Sequence, residues 1–346
     1  DGGSDEPTLR QLLEDYAARD ARVRVTWLPQ NLGIAENTNA ALRMCTGEFV
    51  ALLDHDDELA PHALFEYVQR LNADATLDVL YSDEDKLDAA GARCQPFFKP
   101  DWSPEYLRGV MYVGHLLCFR RSLWEQVGGF DARFDGVQDF EFMLRLSEAT
   151  TCIAHVPKLL YHWRALPGSV ALDSQAKPGL SELQRDAVNA HLQRVRLPAR
   201  AEIASPHHQL RSVPNAQTDA PIVSIVIAHR GTAAQLERCV QSIAQHSAAS
   251  THAAAHEVLI VSETAGHLNL PGEFTITRAC NFGAKHARGA YLLFLSSALE
   301  VQAPGWLEQL RYYAAQAQVG VAGGLILDPA QRVVNAGYVL DAHDDV

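Results

Sequence analysis

Three aspartates follow directly on a short apolar run: Phe49-Val50-Ala51-Leu52-Leu53 leads into Asp54-His55-Asp56-Asp57. A continuous apolar run of that length reads as a strand buried on both faces. In open α/β sheets, ligands gather just beyond the carboxyl ends of such strands. Carboxylates crowded there repel one another, and any phosphate, unless a cation lies among them. Mg²⁺ or Mn²⁺, which take oxygen ligands and share them with a diphosphate, suit the arrangement. The same residues also fit a solvated acidic turn capping a following helix, with Asp57 ahead of Glu58-Leu59-Ala60-Pro61. The run by itself leaves both readings open.

A second candidate strand, Asp78-Val79-Leu80-Tyr81-Ser82, also ends in acid, at Asp83-Glu84-Asp85. Two such strand ends favour one shared polar cleft, although an exposed charged loop has the same composition. Further on, Val137, Phe140, Met143, Leu144 and Ser147 recur at helical spacing, which places Asp139 in the first turn of a helix. The helix dipole there favours the ionised carboxylate, which could take a proton from a hydroxyl nucleophile. Serving only the helix N-terminus is the alternative role. His155-Val156-Pro157 and Tyr161-His162-Trp163-Arg164 close this part of the chain. A lone histidine is more often structural than a ligand. An arginine such as Arg164 beside a diphosphate would offset charge and stabilise a leaving group.

These residues need a frame to hold them. At 346 residues the chain predicts two domains. A net charge of −13 with no basic run argues against a nucleic-acid partner. It also means that an anionic substrate would need a metal or local Arg and Lys. Cys45, Cys94, Cys118, Cys152, Cys239 and Cys280 lie far apart without zinc-ligand spacing, which reads as reduced, mostly buried thiols of a cytosolic protein. There is no apolar span long enough for a bilayer, no signal peptide, no P-loop, no GxGxxG, no GxSxG and no HExxH. The opening Asp1-Gly2-Gly3-Ser4, without a Met, reads as the start of a fragment.

One common shift aligns Asn39 with Asn281, Gly47 with Gly289 and Leu53 with Leu295. In both copies a small-residue helix leads through Gly into an apolar strand. Beyond the strand, Asp54, Asp56 and Asp57 face Ser296, Ala298 and Leu299, so the second copy keeps the pattern and loses the acids. The second copy opens with a strand at Pro221–Ile227, a helix at 233–246 and a strand at Glu257–Val261, whose counterparts the first copy lacks at its start. Such βαβ alternation predicts a mostly parallel sheet with flanking helices. The expected division is 1–165, a linker at 166–220, and 221–346. Within the linker stand Pro167, Pro178, Pro198, Pro206 and Pro214. It also carries one helix, with Leu183, Ala187, Val188, Leu192 and Val195 on one face and Ser181 with Gln184 as a capping box.

Taken in order, these segments resemble a bacterial family 2 glycosyltransferase with the GT-A fold, of a tandem two-domain type incomplete at both ends. The matching stretches are Asp1-Gly2-Gly3-Ser4, Asn31-Leu32-Gly33-Ile34-Ala35, Leu53-Asp54-His55-Asp56-Asp57, Tyr81-Ser82-Asp83-Glu84-Asp85-Lys86 and Phe98-Lys99-Pro100-Asp101-Trp102. Gly128-Gly129-Phe130-Asp131, Gln138-Asp139, His155-Val156-Pro157 and His162-Trp163-Arg164 complete the set. The second copy matches at Ile222–Ile227, Asn281-Phe282-Gly283-Ala284, Trp306-Leu307 and Val334-Asn335-Ala336-Gly337.

The resemblance implies inverting transfer of a sugar from a nucleotide-sugar donor to an acceptor hydroxyl, assisted by Mg²⁺ or Mn²⁺. By position, Asp1 would belong to the nucleobase loop, Asp54 would face ribose or metal, and Asp56 would ligate the cation with Asp57 as a helper. Asp139 matches the base; relatives more often carry Glu-Asp where this chain has Gln138-Asp139. His162 would add a metal or phosphate contact, while Asp83, Asp85 and Arg164 would lie on the donor side. Also implied are a glycan or lipid-linked glycan acceptor in surface polysaccharide synthesis, and a cytoplasmic site with peripheral association at the inner face of the membrane. The second copy, with Ser262-Glu263-Thr264 in place of the usual nucleobase loop, would be a catalytically silent scaffold or acceptor surface.

Two rivals make different products. A haloacid-dehalogenase-type phosphatase also places Asp-x-Asp after a strand, but it expects Thr or Val where Glu58 stands. A glycan-binding scaffold built from two decayed transferase folds would make no product.

Overall fold

The structure, a computed structural model, describes residues 1–4, 6–165, 179–205, 209–215, 221–250, 254–263 and 267–336. Pro167, Pro178, Pro206, Thr264 and Gly337 lie outside the described residues. The chain forms two compact units, Asp1–Val213 and Pro214–Val346.

The first unit begins with helices α1 (Pro7–Arg19) and α2 (Ile34–Leu42). Strand β1 (Phe49–Ala51), strand β2 (Glu58–Leu59), helix α3 (Ala63–Ala73) and the long strand β3 (Val79–Leu87) follow. Next come β4 (Arg93–Phe97), α4 (Pro104–Leu107), β5 (Leu117–Arg120), α5 (Arg121–Val127), α6 (Gln138–Ala149) and β6 (Ile153–Arg164). The sheet order is β1-β5-β3-β6-β2, with β4 also on β3. Only the β3–β6 pairing is parallel; the others are antiparallel. The sheet is therefore mixed, with helices on both faces. On one face Tyr67 of α3 packs over Leu80 and Cys118 and donates its hydroxyl to the Leu116 carbonyl at 2.6 Å. On the other, Phe142 of α6 meets Phe119 edge-on at 5.2 Å and Phe130 at 4.3 Å.

Three local expectations change. The run Phe49–Leu53 is not buried on both faces: β1 covers only its first three residues and is hydrogen-bonded to β5 alone, and Leu53 is 51% exposed. Glu58 and Leu59 do not start a helix. They pair with His162 and Tyr161 of β6, which brings the acidic turn back onto the sheet. Strand β3 does not end before Asp83-Glu84-Asp85 but runs through them, because each acid has a buried partner described below.

Of the segment read as a linker, the described residues between Gly179 and Val213 belong to the first unit. Helix α7 (Leu180–Arg194) buries Ala187, Val188 and Leu192. Its His191 sits 2.7 Å from Glu148 of α6 and accepts from Arg108 at 3.2 Å. Hydrogen bonds from His191 and Arg194 hold the Glu148 carboxyl below its usual range although burial alone would raise it. The helix starts at an N-cap of Gly179, without a side-chain cap, so Ser181 falls inside the first turn instead of heading a capping box. Strands β7 (Ala199–Ser205) and β8 (Gln209–Pro214) then form a two-stranded sheet, tied back by the Leu210 amide to the Gly109 carbonyl at 2.7 Å.

In the second unit β9 (Val223–Ala228), β10 (His256–Ser262), β11 (Leu268–Asn269) and β12 (Tyr291–Ser296) form a wholly parallel sheet in the order β11-β10-β9-β12. Helix α8 (Ala233–Ala248), which opens with a Thr232/Gln235 capping box, covers one face through Leu236, Cys239 and Ile243. Helix α9 (Ile276–His286) covers the other through Ala279. Helix α10 (Trp306–Ala314) and the pair β13 (Ile326–Leu327) and β14 (Val333–Asn335) follow. All six cysteines are free thiols. Among the described residues no helix is long and apolar enough to cross a membrane.

The aligned asparagines have different surroundings. Asn39 is buried, and its amide both donates to the Phe130 carbonyl (2.9 Å) and accepts from the Phe130 amide (2.8 Å). Asn281 is exposed. Asn39→Ala should therefore strand two buried main-chain groups and cost about 2–4 kcal/mol of stability, read by urea denaturation. A loss no larger than that of Asn281→Ala would contradict this role.

Candidate active site

The acidic turn is built by β1, which ends beside β5, and by β2, which docks on β6. The Asp57 amide closes the turn on the Asp54 carbonyl at 3.3 Å. Strand β6 then clamps it from two positions, Tyr161 and Arg164. Tyr161 receives the Asp54 amide on its hydroxyl at 3.3 Å and donates that hydroxyl to Asp57 Oδ2 at 2.5 Å. Arg164 donates its main-chain N–H to Asp57 Oδ1 and its Nε to the Asp56 carbonyl, both at 2.7 Å, and its Nη2 bonds Glu58.

Opposite the turn stands His115, in the loop between α4 and β5. Its ring stacks on Tyr161 at 4.6 Å and meets the edge of Trp163 at 5.6 Å. One donor atom each from Asp54, Asp57 and His115 lie within 4.8 Å of one another. Two carboxylate oxygens and an imidazole nitrogen at that spacing fit a divalent cation. The nitrogen shifts preference from Mg²⁺ towards a first-row transition ion such as Mn²⁺.

Asp139 occupies the first turn of α6, where its Oδ1 accepts the Phe140 amide at 2.8 Å. Burial pushes its carboxyl above the usual range; His115 opposes that shift by its charge and Asp54 adds to it. The charges of two of the three donor residues thus act on Asp139. Asp57 is likewise raised by burial, against hydrogen bonds from Arg164 and Tyr161.

The other sequence candidates fall elsewhere. Asp56 is on the turn but outside the three-donor group; its carboxylate lies 3.9 Å from the exposed His55 ring. His162 is also outside that group, its Nδ1 2.5 Å from Asp85 Oδ1, while Arg93 holds Asp85 Oδ2 at 2.6 Å. Asp83 is buried, accepting the Lys99 amide at 2.8 Å and contacting His155 Nε2 at 2.8 Å. Asp83 and Asp85 are therefore committed inside the sheet. Asp1 turns its carboxylate on its own loop, accepting the Gly3 and Ser4 amides at 3.0 and 2.8 Å. Arg164, half-buried, is at the turn. Sequence reasoning missed His115 and Tyr161. The one signal was Gly114-His115 in an aromatic-rich stretch, which carries no motif by itself.

The sequence model described as glycosyl transferase family 2 matches residues 1–128. An O-antigen biosynthesis protein, RfbC, of Myxococcus xanthus is 37% identical over 98% of this chain and 28% of its own length. Chondroitin synthase of Escherichia coli is 32% identical over 49% of this chain and 24% of its own length. The chain thus spans well under two thirds of these relatives. A solved structure of S. aureus TarS 1–349 in complex with UDP-GlcNAc is 20% identical, with a TM-score of 0.45, over 55% of each chain.

Proposed function

We propose that the first unit, whose residues 1–128 match the family 2 glycosyl transferase model, moves a sugar from a nucleotide-sugar donor to a glycan hydroxyl, with inversion and with help from a divalent cation. The observation that carries this is the meeting of Asp54, Asp57 and His115, whose donor atoms lie within 4.8 Å of one another at the end of the acidic turn. Asp139, in the first turn of α6, is the candidate base. When bound, the cation would offset the charge of the departing diphosphate. Asp54, Asp57 and His115 would hold it, the last two kept in place by Tyr161.

Asp139 takes the proton of the acceptor hydroxyl. Its raised proton affinity brings it closer to the working pH, which favours general-base action. A hydroxyl so activated on the Asp139 side attacks the sugar opposite the departing diphosphate, and the configuration inverts. Orientation in the cleft removes much of the entropic barrier. Arg164, by binding both the Asp56 carbonyl and Asp57, keeps the turn closed and brings a positive charge to its edge. The similarity to an O-antigen biosynthesis protein supports a surface polysaccharide acceptor; its lipid-linked form, met at the inner face of a membrane, belongs to the proposal alone. The second unit has Ser296 at the end of β12 and Ala298 and Leu299 just beyond it, with no carboxylate among them, and fits a scaffold or acceptor-binding role.

The test supplies the chain with a panel of nucleotide sugars and Mn²⁺ and follows nucleoside diphosphate release. Release should stop with a chelator. Asp57→Asn should raise the Mn²⁺ requirement about tenfold or more, on the scale of lost metal-site partners, and Asp56→Asn distinctly less. A larger effect at Asp56 would return the ligand role to that residue. Release indifferent to chelation would overturn the cation reading.

A further inference from the structure

Directly behind His115 lies an ion pair that the proposed chemistry does not use. The Lys99 side chain is fully buried, and its Nζ is 2.9 Å from Glu84 Oε2. The same Nζ donates to the Val113 carbonyl at 2.7 Å and the His115 carbonyl at 2.5 Å. Glu84 Oε2 also accepts the His115 amide at 2.8 Å. One ion pair therefore grips both main-chain polar groups of His115. Between them Gly114 adopts φ +46°, and a Cβ there would come within 2.8 Å of Glu84 Oε2, so the loop passes too close to the carboxylate for a side chain.

Burying an ion pair is costly, and a well-packed apolar pair of the same volume is often as stable or more so. A pair in this position gains its use from direction: a fixed donor and a fixed acceptor define where the His115 backbone can sit. Ligand histidines work only when groups outside the ligand set hold their rings in place. Here the ring is held by stacking on Tyr161, and the backbone that carries it is held by Lys99 and Glu84. We propose that the buried Lys99–Glu84 pair is a positioning device that presents His115 to the cation shared with Asp54 and Asp57. This deepens the cation reading and rests on it.

The test measures binding of Mn²⁺ alone to the full chain, by loss of the free-ion electron paramagnetic resonance signal. It compares Lys99→Met and Glu84→Gln in the native background and in a His115→Ala background. With His115 present, Lys99→Met should weaken Mn²⁺ binding about 10–100-fold. Glu84→Gln should weaken it less, because the amide oxygen still accepts from the His115 N–H. In the His115→Ala background neither change should weaken binding further. Equal losses in both backgrounds would show a general structural effect and overturn the proposal, as would unchanged affinity for both variants with His115 present. If Lys99→Met does not fold, Glu84→Gln and Gly114→Ala read the same coupling to His115. His115→Ala binding Mn²⁺ as tightly as the native chain would instead refute the cation reading from which the proposal starts.

Discussion

Asp139→Asn should lower sugar transfer by about 10²–10⁴-fold, the usual worth of a general base, while Mn²⁺ affinity falls far less, because Asp139 is not one of the three donors. Asparagine keeps the shape and the Phe140 amide contact but cannot take a proton. The same substitution should raise the melting temperature of the metal-free chain at neutral pH. Burial holds the folded-state affinity of Asp139 for its proton above that of the unfolded chain, with the Asp54 charge adding to it. A carboxyl shifted in this direction contributes its full stability below the unfolded-state pKa. That contribution is lost as pH rises through the folded-state pKa, so at neutral pH the ionised group is a burden. Thermal melts of both proteins in chelator, from pH 4 to pH 8, check this. The advantage of the Asp139→Asn variant should shrink as pH falls. Full transfer activity in that variant would remove Asp139 from the chemistry.

The second large effect is expected at Asp54. Asp54→Ala removes one of three cation donors, and charge stabilisation by such an ion is worth several kcal/mol; transfer should therefore fall by about 10²-fold or more at limiting Mn²⁺. Part of the loss should return at high Mn²⁺, which separates a weakened cation site from a collapsed one. A further signature follows from the electrostatics. Removing the Asp54 charge lowers the proton affinity of Asp139, so the acid limb of the pH–rate profile should move to lower pH. Transfer assays across pH and Mn²⁺ concentration read both effects. An unshifted limb together with unaltered Mn²⁺ dependence would contradict the placement of Asp54 beside Asp139.

Local signals in the sequence were sufficient where chemistry follows from short-range pattern. The spacing of Phe140, Met143 and Leu144 defined α6 and set Asp139 in its first turn, and the helix expected at 233–246 is α8. The α/β class followed from the alternation of elements, but the mostly parallel sheet it predicts is found in the second unit, whereas in the first only the β3–β6 pairing is parallel. Pairing was less legible. Phe49–Leu53 has the composition of a central strand, yet β1 is hydrogen-bonded on one edge only, because burial depends on neighbours that a short apolar run does not specify. The acids of β3 read as a strand end because isolated carboxylates are costly to bury. Lys99, His155 and His162, distant in sequence, and Arg93 on the neighbouring β4 supply the partners that let the strand continue. His115 escaped notice for a related reason. Its meeting with Asp54 and Asp57 depends on Tyr161 and on the Lys99–Glu84 pair, and none of these contacts has a periodicity.

The account turns on one place in the first unit. Crystals of the chain grown with Mn²⁺ and a nucleoside diphosphate would locate the ion by its anomalous scattering. A single strong peak within bonding distance of Asp54, Asp57 and His115, with diphosphate oxygens on its open side, is the predicted result. A peak held by Asp85 and His162, or none at the turn while diphosphate is bound, would contradict it.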